Sequence, residues 1–259
     1  STITQDYSNL ERLEDFSEPA ILFQIRQRFL KDNIYTYVSN ILIAANPYQL
    51  LKTKDGSSIY GTNMVKKYED HLTSGTLDTC DPHVFAVAAR AFAGMCQSGK
   101  RQSVLISGES GAGKTETTKK VLYFLSSIVR ESSEEIEKQH RASSPGGTAG
   151  PVADSIEDKM MQSNPILESF GNAQTVMNDN SSRFGKWMEI FFDSVPVRAG
   201  KGKVLNNCGN NGWSMLGGAI TSYILEKSRV SFQMPGERNF HIFYMLLTSM
   251  SEEMRTKFC

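Results

Sequence analysis

Eight consecutive residues in the middle of the chain have the types and the spacing of a loop that binds phosphate. They are Gly108, Glu109, Ser110, Gly111, Ala112, Gly113, Lys114 and Thr115, and they fit the pattern G-x-x-x-x-G-K-[ST]. Glycines let the backbone bend so that successive N–H groups point at the phosphates, and the N-terminus of the following helix adds partial positive charge. Lys114 would reach the β and γ phosphates, and Thr115 would offer a hydroxyl to Mg²⁺, which prefers oxygen ligands. The segment therefore predicts a site for a nucleoside triphosphate and Mg²⁺.

A second polar segment, residues 178–186, reads Asn-Asp-Asn-Ser-Ser-Arg-Phe-Gly-Lys and stands just before an apolar run. Taken alone, it is typical of a polar turn. In a chain with a phosphate loop, its hydroxyls could complete the coordination of Mg²⁺, its amides could bond to phosphate oxygens, and Arg183 could form a buried ion pair. Because both motifs occur together, we favour the nucleotide-binding interpretation over the turn.

The phosphate loop needs a strand before it and a helix after it, and the sequence predicts both. Residues 102–107 are apolar enough for a short buried strand. After the loop, five apolar residues share one face of a helix: Val121, Leu122, Leu125, Ile128 and Val129. Residues 187–192 predict a strand directly after the second polar segment.

Elements are also predicted on the N-terminal side of the loop. Residues 34–45 are rich in aromatic and β-branched types and stop at Asn46-Pro47, which predicts a strand or a hairpin. A polar surface excursion follows over residues 50–60. Asp81 offers an N-cap, and Pro82 the first position, of a helix. The apolar residues of that helix recur on one face: Phe85, Ala88, Phe92 and Met95.

On the C-terminal side, residues 131–154 are rich in Ser, Gly and Pro and predict a mobile loop or a linker. Residues 219–230 predict a strand, and residues 194–214 an enlarged hairpin connection before it. Arg198, Lys201 and Lys203 in that connection could form a docking surface or a solvated hairpin, and we favour the hairpin because small charge runs usually face water. The last predicted element is an amphipathic helix marked by Phe240, Phe243, Tyr244 and Leu247.

Composition and charge exclude several classes of protein. The chain has 259 residues, of which 39% are hydrophobic and 22% charged, which is ordinary for a globular protein and unlike a disordered or membrane-spanning one. Lys plus Arg and Asp plus Glu number 28 each, so no overall basic charge attracts nucleic acid. The four cysteines are scattered, as expected of reduced thiols. We therefore expect a cytoplasmic protein with no nucleic-acid partner and no transmembrane segment.

Several segments taken together resemble the myosin motor domain. The phosphate loop continues into Glu-Thr-Thr-Lys, and four further stretches match the family, as do Ile-Tyr-Thr-Tyr at residues 34–37 and Asn-Pro-Tyr at residues 46–48. The four stretches are residues 164–173, 178–186, 225–230 and 236–243. Kinesin shares Ser-Ser-Arg at residues 181–183 but characteristically continues with Ser-His, whereas this chain continues with Phe-Gly. The resemblance covers nearly the whole chain from about residue 13 onward.

The resemblance implies an α/β fold, namely a P-loop NTPase with a central, mostly β sheet flanked by helices. Residues 1–259 would be the N-terminal part of a myosin-like motor domain, incomplete as given: 1–130 carry the purine-binding segment and the P-loop, 131–155 a flexible surface loop, and 156–259 switch I with the strands and helix after it. The implied cofactors are ATP and Mg²⁺. The implied function is that of an actin-based motor that hydrolyses MgATP, located in the cytoplasm on the actin cytoskeleton, with actin filaments as partner and light chains or calmodulin possible in the full protein.

The resemblance also implies roles for individual residues. Asn46, Pro47 and Tyr60 would contact the purine, and Asn178 would contact phosphate as the first residue of switch I. Ser182 would give Mg²⁺ a second hydroxyl beside that of Thr115. Catalytic roles would fall on three residues, with Lys114 on the phosphates, Ser181 near the γ phosphate and the attacking water, and Arg183 paired with a glutamate of switch II.

The sequence departs from the family in three places, one of which is the connection at residues 194–214, longer than the usual turn between those strands. Gln174 and Met177 stand where many myosins have basic residues, which removes positive charge near the nucleotide entrance. None of the aspartates has glycine three residues later, so the Asp-x-x-Gly of switch II is missing and Arg183 is expected to lack its carboxylate partner. A truncated, noncatalytic nucleotide-binding or interaction module is therefore the alternative. A small GTPase is disfavoured because Asn-Lys-x-Asp is absent, and a metabolic P-loop kinase because no lid or acceptor motif is recognisable.

Overall fold

The computed structural model describes residues 6–142, 159–160, 162–196 and 211–258. The chain divides into two compact units. The first unit comprises residues 1–107, 112–148 and 193–214, and the second comprises residues 108–111, 149–192 and 215–259. The chain passes from one unit to the other within the phosphate loop.

Helices and short sheets alternate along the described chain. The helices are α1 (Glu18–Phe29), α2 (Thr62–Ser74), α3 (Val84–Ser98), α4 (Lys114–Ala142), α5 (Asn164–Gly171), α6 (His241–Ser249) and α7 (Glu252–Phe258). The strands are β1 (Tyr35–Val38), β2 (Ile41–Ala44), β3 (Asn172–Thr175), β4 (Asn178–Ser182), β5 (Gly185–Pro196) and β6 (Asn211–Tyr223). Short 3₁₀ turns lie at Leu10–Arg12, Leu77–Thr79 and Lys227–Val230.

The core of the first unit forms where α3 packs against α2 and α4. Phe85 of α3 and Phe124 of α4 are fully buried and stack with their ring centroids 5.0 Å apart. The five apolar residues predicted on one face of α4 are all buried, so this helix is confirmed. Burying this apolar surface stabilises the position of the α4 N-terminus, where the phosphate loop ends.

The predicted strand or hairpin at residues 34–45 is the antiparallel hairpin β1–β2, in which Tyr35 lies opposite Ala44 and Val38 opposite Ile41. Ser39 takes a positive φ of 54° at the turn. The hairpin ends just before Asn46-Pro47, because proline has no N–H to donate to a strand ladder.

The N-cap predicted for α3 is wrong. The cap is His83, not Asp81, because the extended backbone of His83 lets its Nδ1 accept a hydrogen bond from Phe85 N at 3.1 Å. The helix therefore begins at Val84 and not at Pro82. Histidine is not among the preferred capping residues, so sequence preference favoured the aspartate.

The strand predicted at residues 102–107 is also wrong. Those residues form no strand, and Leu105 is 92% exposed. A strand is stable only when a neighbour satisfies its backbone groups, and no described segment pairs with this one. Its apolar types alone could not supply that neighbour.

Residues 131–142, predicted to begin a mobile loop, instead continue α4. Their sequence contains Glu, Lys, Gln and Ala, which are good helix formers. Residues 143–155 lie outside the described part of the chain.

The second unit is organised around the antiparallel pair β3–β4, in which Asn172 lies opposite Ser182 and Ala173 opposite Ser181. Helices α5 and α6 both contact β3. Ala173 and Phe240, which form an isolated bridge, are buried at the centre of this unit. Residues 178–182 are therefore a strand and not the polar turn that their composition alone suggested.

The remaining predictions on the C-terminal side are right in part. The strand predicted at residues 187–192 lies inside β5. The strand predicted at 219–230 ends at Tyr223, because Ile224 takes a positive φ of 55° and a 3₁₀ turn follows. Residues 194–196 and 211–214 of the predicted hairpin connection belong to β5 and β6, and its other residues, including Arg198, Lys201 and Lys203, lie outside the described chain. The last predicted helix is present as α6, but it begins after Phe240, which is its N-cap, and it has no buried residue.

The prediction of mixed helices and strands is confirmed, but the described strands form three separate two-stranded sheets in place of one central sheet. The hairpins predicted from the sequence correspond to the pairs β1–β2 and β5–β6, whereas the sequence did not indicate the pairing of β3 with β4. Within the described residues, no helix is both long enough and apolar enough to cross a bilayer.

Candidate functional site

The predicted nucleotide residues of the first unit gather around the start of α4. The carbonyl of Gly113 accepts hydrogen bonds from Thr117 N at 2.8 Å and from Thr117 Oγ1 at 3.0 Å, so the helix begins directly after the loop. Gly113 has a φ of 91°, which favours glycine. Lys114 and Thr115 therefore occupy the first turn of α4. The backbone N–H groups of a first turn have no acceptor within the helix and can bind an anion at its N-terminal end.

Asn46 lies against this helix start. A Cβ added at Gly113 would lie 3.6 Å from Asn46 Nδ2, and Asn46 Oδ1 accepts a hydrogen bond from Tyr48 N at 3.0 Å. Pro47, between them in sequence, is half-buried. The structure thus brings the end of the hairpin to the last glycine of the phosphate loop.

Tyr60, the third residue predicted to contact the purine, is fixed from two sides. Its hydroxyl lies 2.8 Å from the Tyr35 hydroxyl, and Lys120 Nζ lies 4.8 Å from the centroid of its ring. Lys120 is on α4, about 9 Å along the helix from Lys114 at 1.5 Å per residue. Burial raises the pKa of Tyr60, so its hydroxyl stays protonated at neutral pH. The sequence did not predict that Lys120 and Tyr35 contact Tyr60. The pair of lysines at residues 119–120 was a weak signal for Lys120.

Behind Tyr60, His83 is 5% exposed and stacks on Tyr68 with centroids 4.9 Å apart. Its Nδ1 accepts from Phe85 N, and its Nε2 lies 3.1 Å from the carbonyl oxygen of Ile59 and donates to it. Burial lowers the pKa of His83 to about 3, so the ring is neutral. This neutral ring ties the residue before Tyr60 to the start of α3.

In the second unit, the first half of the phosphate loop meets β4. Ser110 Oγ lies 2.9 Å from Ser181 Oγ, and Asn178 Nδ2 lies 3.4 Å from Ser110 Oγ. Ser181 is 2% exposed, and Gly111 has a φ of 80°. Ser110 is therefore brought together with Asn178 and Ser181, although it lies 68 and 71 positions from them in sequence.

Arg183 follows β4, and its partner corrects the sequence prediction. Its Nε donates to Glu226 Oε2 at 2.6 Å, so this chain does hold a carboxylate partner for Arg183. Its Nη1 lies 3.4 Å from Ser181 Oγ. Sequence reasoning missed Glu226 because it looked for an Asp-x-x-Gly motif and not for a carboxylate elsewhere in the chain.

An amide cluster supports β4 on its other side. Asn180 Oδ1 accepts from Asn172 Nδ2 at 2.9 Å and lies 3.1 Å from His241 Nε2, while Asn180 Nδ2 donates to Glu168 at 3.2 Å. Asn180 N donates to Asn178 Oδ1 at 3.0 Å. These bonds tie β4 to β3, α5 and α6, so the strand that carries the predicted switch residues is anchored by side chains as well as by its ladder.

Comparison with known proteins decides the family. A sequence profile described as Myosin head (motor domain) matches residues 4–259. This chain belongs to the myosin head family. It is 41% identical over 268 residues to Myosin-J heavy chain of Dictyostelium discoideum, and the aligned region covers 98% of this chain and 11% of that protein. It is 42% identical over 241 residues to Unconventional myosin-VI of Homo sapiens, covering 93% of this chain and 15% of that protein.

A third relative, Unconventional myosin-Ia of Rattus norvegicus, is 39% identical over 242 residues, which cover 93% of this chain and 23% of that protein. This myosin head sequence therefore spans less than a quarter of the length of these three relatives. The resemblance drawn from the motifs is confirmed at the level of the family.

The pair of metal ligands remains a prediction for this myosin head sequence. Ser182 ends β4 and is exposed in the second unit, and Thr115 is half-buried in the first turn of α4 in the first unit. Both carry the hydroxyl oxygen that Mg²⁺ accepts as a ligand. The donor chemistry of each residue fits the ion.

Proposed function

We propose that this chain is the ATP-binding part of an actin-based motor that hydrolyses MgATP. The observation that carries the proposal is the 2.9 Å contact between Ser110 of the glycine loop and the buried Ser181 of β4, in a chain of the myosin head family. Two hydroxyls held at hydrogen-bond distance can both face a phosphate group that arrives at the loop. A plain surface turn would not bury the second of them.

We assign the phosphates to the loop and to the start of α4. The glycines, with positive φ at Gly111 and Gly113, support a backbone that turns N–H groups toward an anion. Lys114 would place its ammonium on the β and γ phosphates, and Asn178 would donate to phosphate oxygen. Asn46, Pro47 and Tyr60 would border the purine. The polar and aromatic types at these positions fit a nucleotide.

Thr115 and Ser182 would hold Mg²⁺, which when bound would neutralise charge on the phosphates. Ser181 would orient the water that attacks the γ phosphate, and Arg183 would keep the loop after β4 in place beside it. In this assignment the chain's own residues bind, orient and exclude water, which is what phosphoryl transfer requires of a protein.

The wider assignments rest on membership of the family. We propose a P-loop NTPase fold with a larger sheet than the described strands form. The proposed division is 1–130 for the purine segment and P-loop, 131–155 for a surface loop, and 156–259 for switch I with the strands and helix after it. The partners would be actin filaments, with light chains or calmodulin on the full protein, in the cytoplasm on the actin cytoskeleton.

The experiment is a titration with a fluorescent ATP analogue and Mg²⁺, on wild type, Lys114→Ala and Lys119→Ala. Lys119 is a matched control because it is a lysine of the same helix whose Nζ pairs with Glu116 at 2.6 Å. We expect Lys114→Ala to weaken binding about tenfold or more, since bonds to charged groups contribute about 1.5–3 kcal/mol. Lys119→Ala should bind as wild type does.

Equal affinities for wild type and Lys114→Ala would contradict the assignment of the loop. Motor activity needs a second measurement, namely phosphate release with and without actin filaments by the complete polypeptide that contains this chain. Nucleotide binding without turnover there would favour the noncatalytic module.

A further inference from the structure

Glu226 holds Arg183 at two points, one on the backbone and one on the side chain. Glu226 N donates to the carbonyl oxygen of Arg183 at 3.0 Å, and Arg183 Nε donates to Glu226 Oε2 at 2.6 Å. Arg183 N also donates to Gly171 O at 2.9 Å. Both backbone groups of Arg183 and the Nε of its guanidinium are therefore bonded within the second unit.

Glu226 is itself fixed by a buried arginine. Arg229, which is 4% exposed, donates from Nε to Glu226 Oε2 at 2.8 Å and from Nη2 to Glu226 Oε1 at 3.3 Å. Its Nη2 also donates to Glu237 Oε2 at 2.7 Å, and its Nη1 to Arg238 O at 3.0 Å. Each oxygen of Glu226 thus has a charged donor, and Arg229 and Glu226 form a rigid base for Arg183.

This base is continuous with the sheet that carries the switch residues. Arg238 N donates to Gln174 O in β3 at 3.0 Å, and Asn239 Nδ2 donates to Arg229 O at 2.7 Å. The segment that contains Glu226 is consequently bonded to β3 as well as to the residue after β4. In the planar guanidinium, Nη1 points away from the edge that carries the Nε–H, and here Arg183 Nη1 lies 3.4 Å from Ser181 Oγ.

We propose that Glu226 is a positioning residue, which fixes Arg183 by its Nε so that Nη1 stays beside Ser181. This inference deepens the proposed function and rests on it for the role of Ser181. In this proposal Glu226 acts through Arg183. Loss of its charge should release the guanidinium without removing any residue that binds phosphate.

The test compares Glu226→Gln with Glu237→Gln. Both replace a glutamate by its amide within one network, but Glu237 bonds to Arg229 and makes no described bond to Arg183. The first readout is the NMR signal of the Arg183 Nε–H, assigned by its loss in Arg183→Lys. We expect exchange of this proton with water to be at least about tenfold faster in Glu226→Gln than in wild type, and unchanged in Glu237→Gln, because Glu226 and not Glu237 accepts from Arg183 Nε.

The second readout is kinetic and uses the complete polypeptide that contains this chain. We expect the rate of phosphate release to fall about tenfold or more in Glu226→Gln, while the Kd for the ATP analogue stays within about twofold of wild type, since misplacement of a catalytic group affects the reaction more than binding. Glu237→Gln should match wild type in both quantities.

Each outcome decides the matter. Equal exchange rates in wild type and Glu226→Gln would overturn the inference, as would equal effects of the two substitutions, which would make Glu226 a merely structural part of the network. A change in Kd as large as the change in rate would also overturn it. The NMR measurement needs no nucleotide. A wild type that binds no ATP would therefore refute the proposed function, and the exchange rates would still test whether Glu226 positions Arg183.

Discussion

Protonation of His83 is expected to destabilise the first unit. The neutral ring makes two bonds of opposite kind, accepting from Phe85 N through Nδ1 and donating to Ile59 O through Nε2. A proton on Nδ1 would remove the acceptor that caps α3 and would place a charge among buried aromatic rings. The ring is 5% exposed, so water cannot compensate for that charge.

The size of the effect can be worked out from the pKa. Burial lowers the pKa of His83 from 6.5 to about 3, so the folded protein binds this proton less readily than the unfolded chain does. The stability that comes from the neutral ring is therefore complete above pH 6.5 and is lost as the pH falls from 6.5 toward 3. The slope approaches about 1.4 kcal/mol per pH unit below pH 6.5 and falls toward zero above it, so the predicted loss between about pH 7.5 and pH 5.5 is about 1.4 kcal/mol.

Two measurements check this prediction. Side-chain NMR of the histidines should show that the His83 ring remains neutral, with the proton on Nε2, down to at least about pH 4.5. Urea unfolding at several pH values should show a steeper loss of the free energy of unfolding in wild type than in His83→Gln. The control is His71→Gln, since His71 is half-buried on α2 and its Nδ1 lies 2.8 Å from Thr76 Oγ1. A His83 ring that titrates near pH 6.5 would refute the reasoning, and the NMR arm holds even if His83→Gln fails to fold.

Two further predictions concern the nucleotide residues. Thr115→Ala and Ser182→Ala should each weaken binding of MgATP more than binding of ATP with EDTA, because each removes one oxygen ligand; equal losses in a fluorescence titration with and without Mg²⁺ would argue against both roles. Tyr35→Phe removes the hydroxyl that lies 2.8 Å from the Tyr60 hydroxyl and should lower the free energy of unfolding by about 0.5–1.5 kcal/mol. It should also reduce the preference for ATP over inorganic triphosphate. Tyr37→Phe, which instead loses a bond from a neighbouring arginine, should keep that preference, and a loss of preference in both variants would count against the positioning of Tyr60.

Local patterns predicted the elements whose stability depends on their own residues. The apolar face of α4 appears in the sequence at helical spacing, and the hairpin ends where Asn46-Pro47 requires it. The phosphate loop leads directly into α4 because Gly113 can take a positive φ and Lys114 can begin a helix. In these cases the determining interactions lie within a few residues of one another.

Local patterns failed where a partner decides the structure. The apolar types at residues 102–107 favour a strand, but a strand needs a hydrogen-bonded neighbour and none of the described segments provides one. Asp81 is the better capping residue by preference, yet His83 caps α3 because aromatic rings from elsewhere bury it in the orientation that lets Nδ1 accept from Phe85 N. Local preference is weak compared with burial of a whole side chain.

The sequence by itself determined the family and the chemistry of the loop, since both depend on residue types at fixed spacing. Only the tertiary structure decided which distant residues meet. Ser110 and Ser181 lie 2.9 Å apart although 71 positions separate them, and Glu226 reaches Arg183 across 43 positions. No periodicity encodes such pairs, because they form when β3 and β4 pair and the segment of Glu226 packs beside them. The physical reason is that an ion pair or a hydrogen bond depends on distance in space, which the chain acquires only on folding.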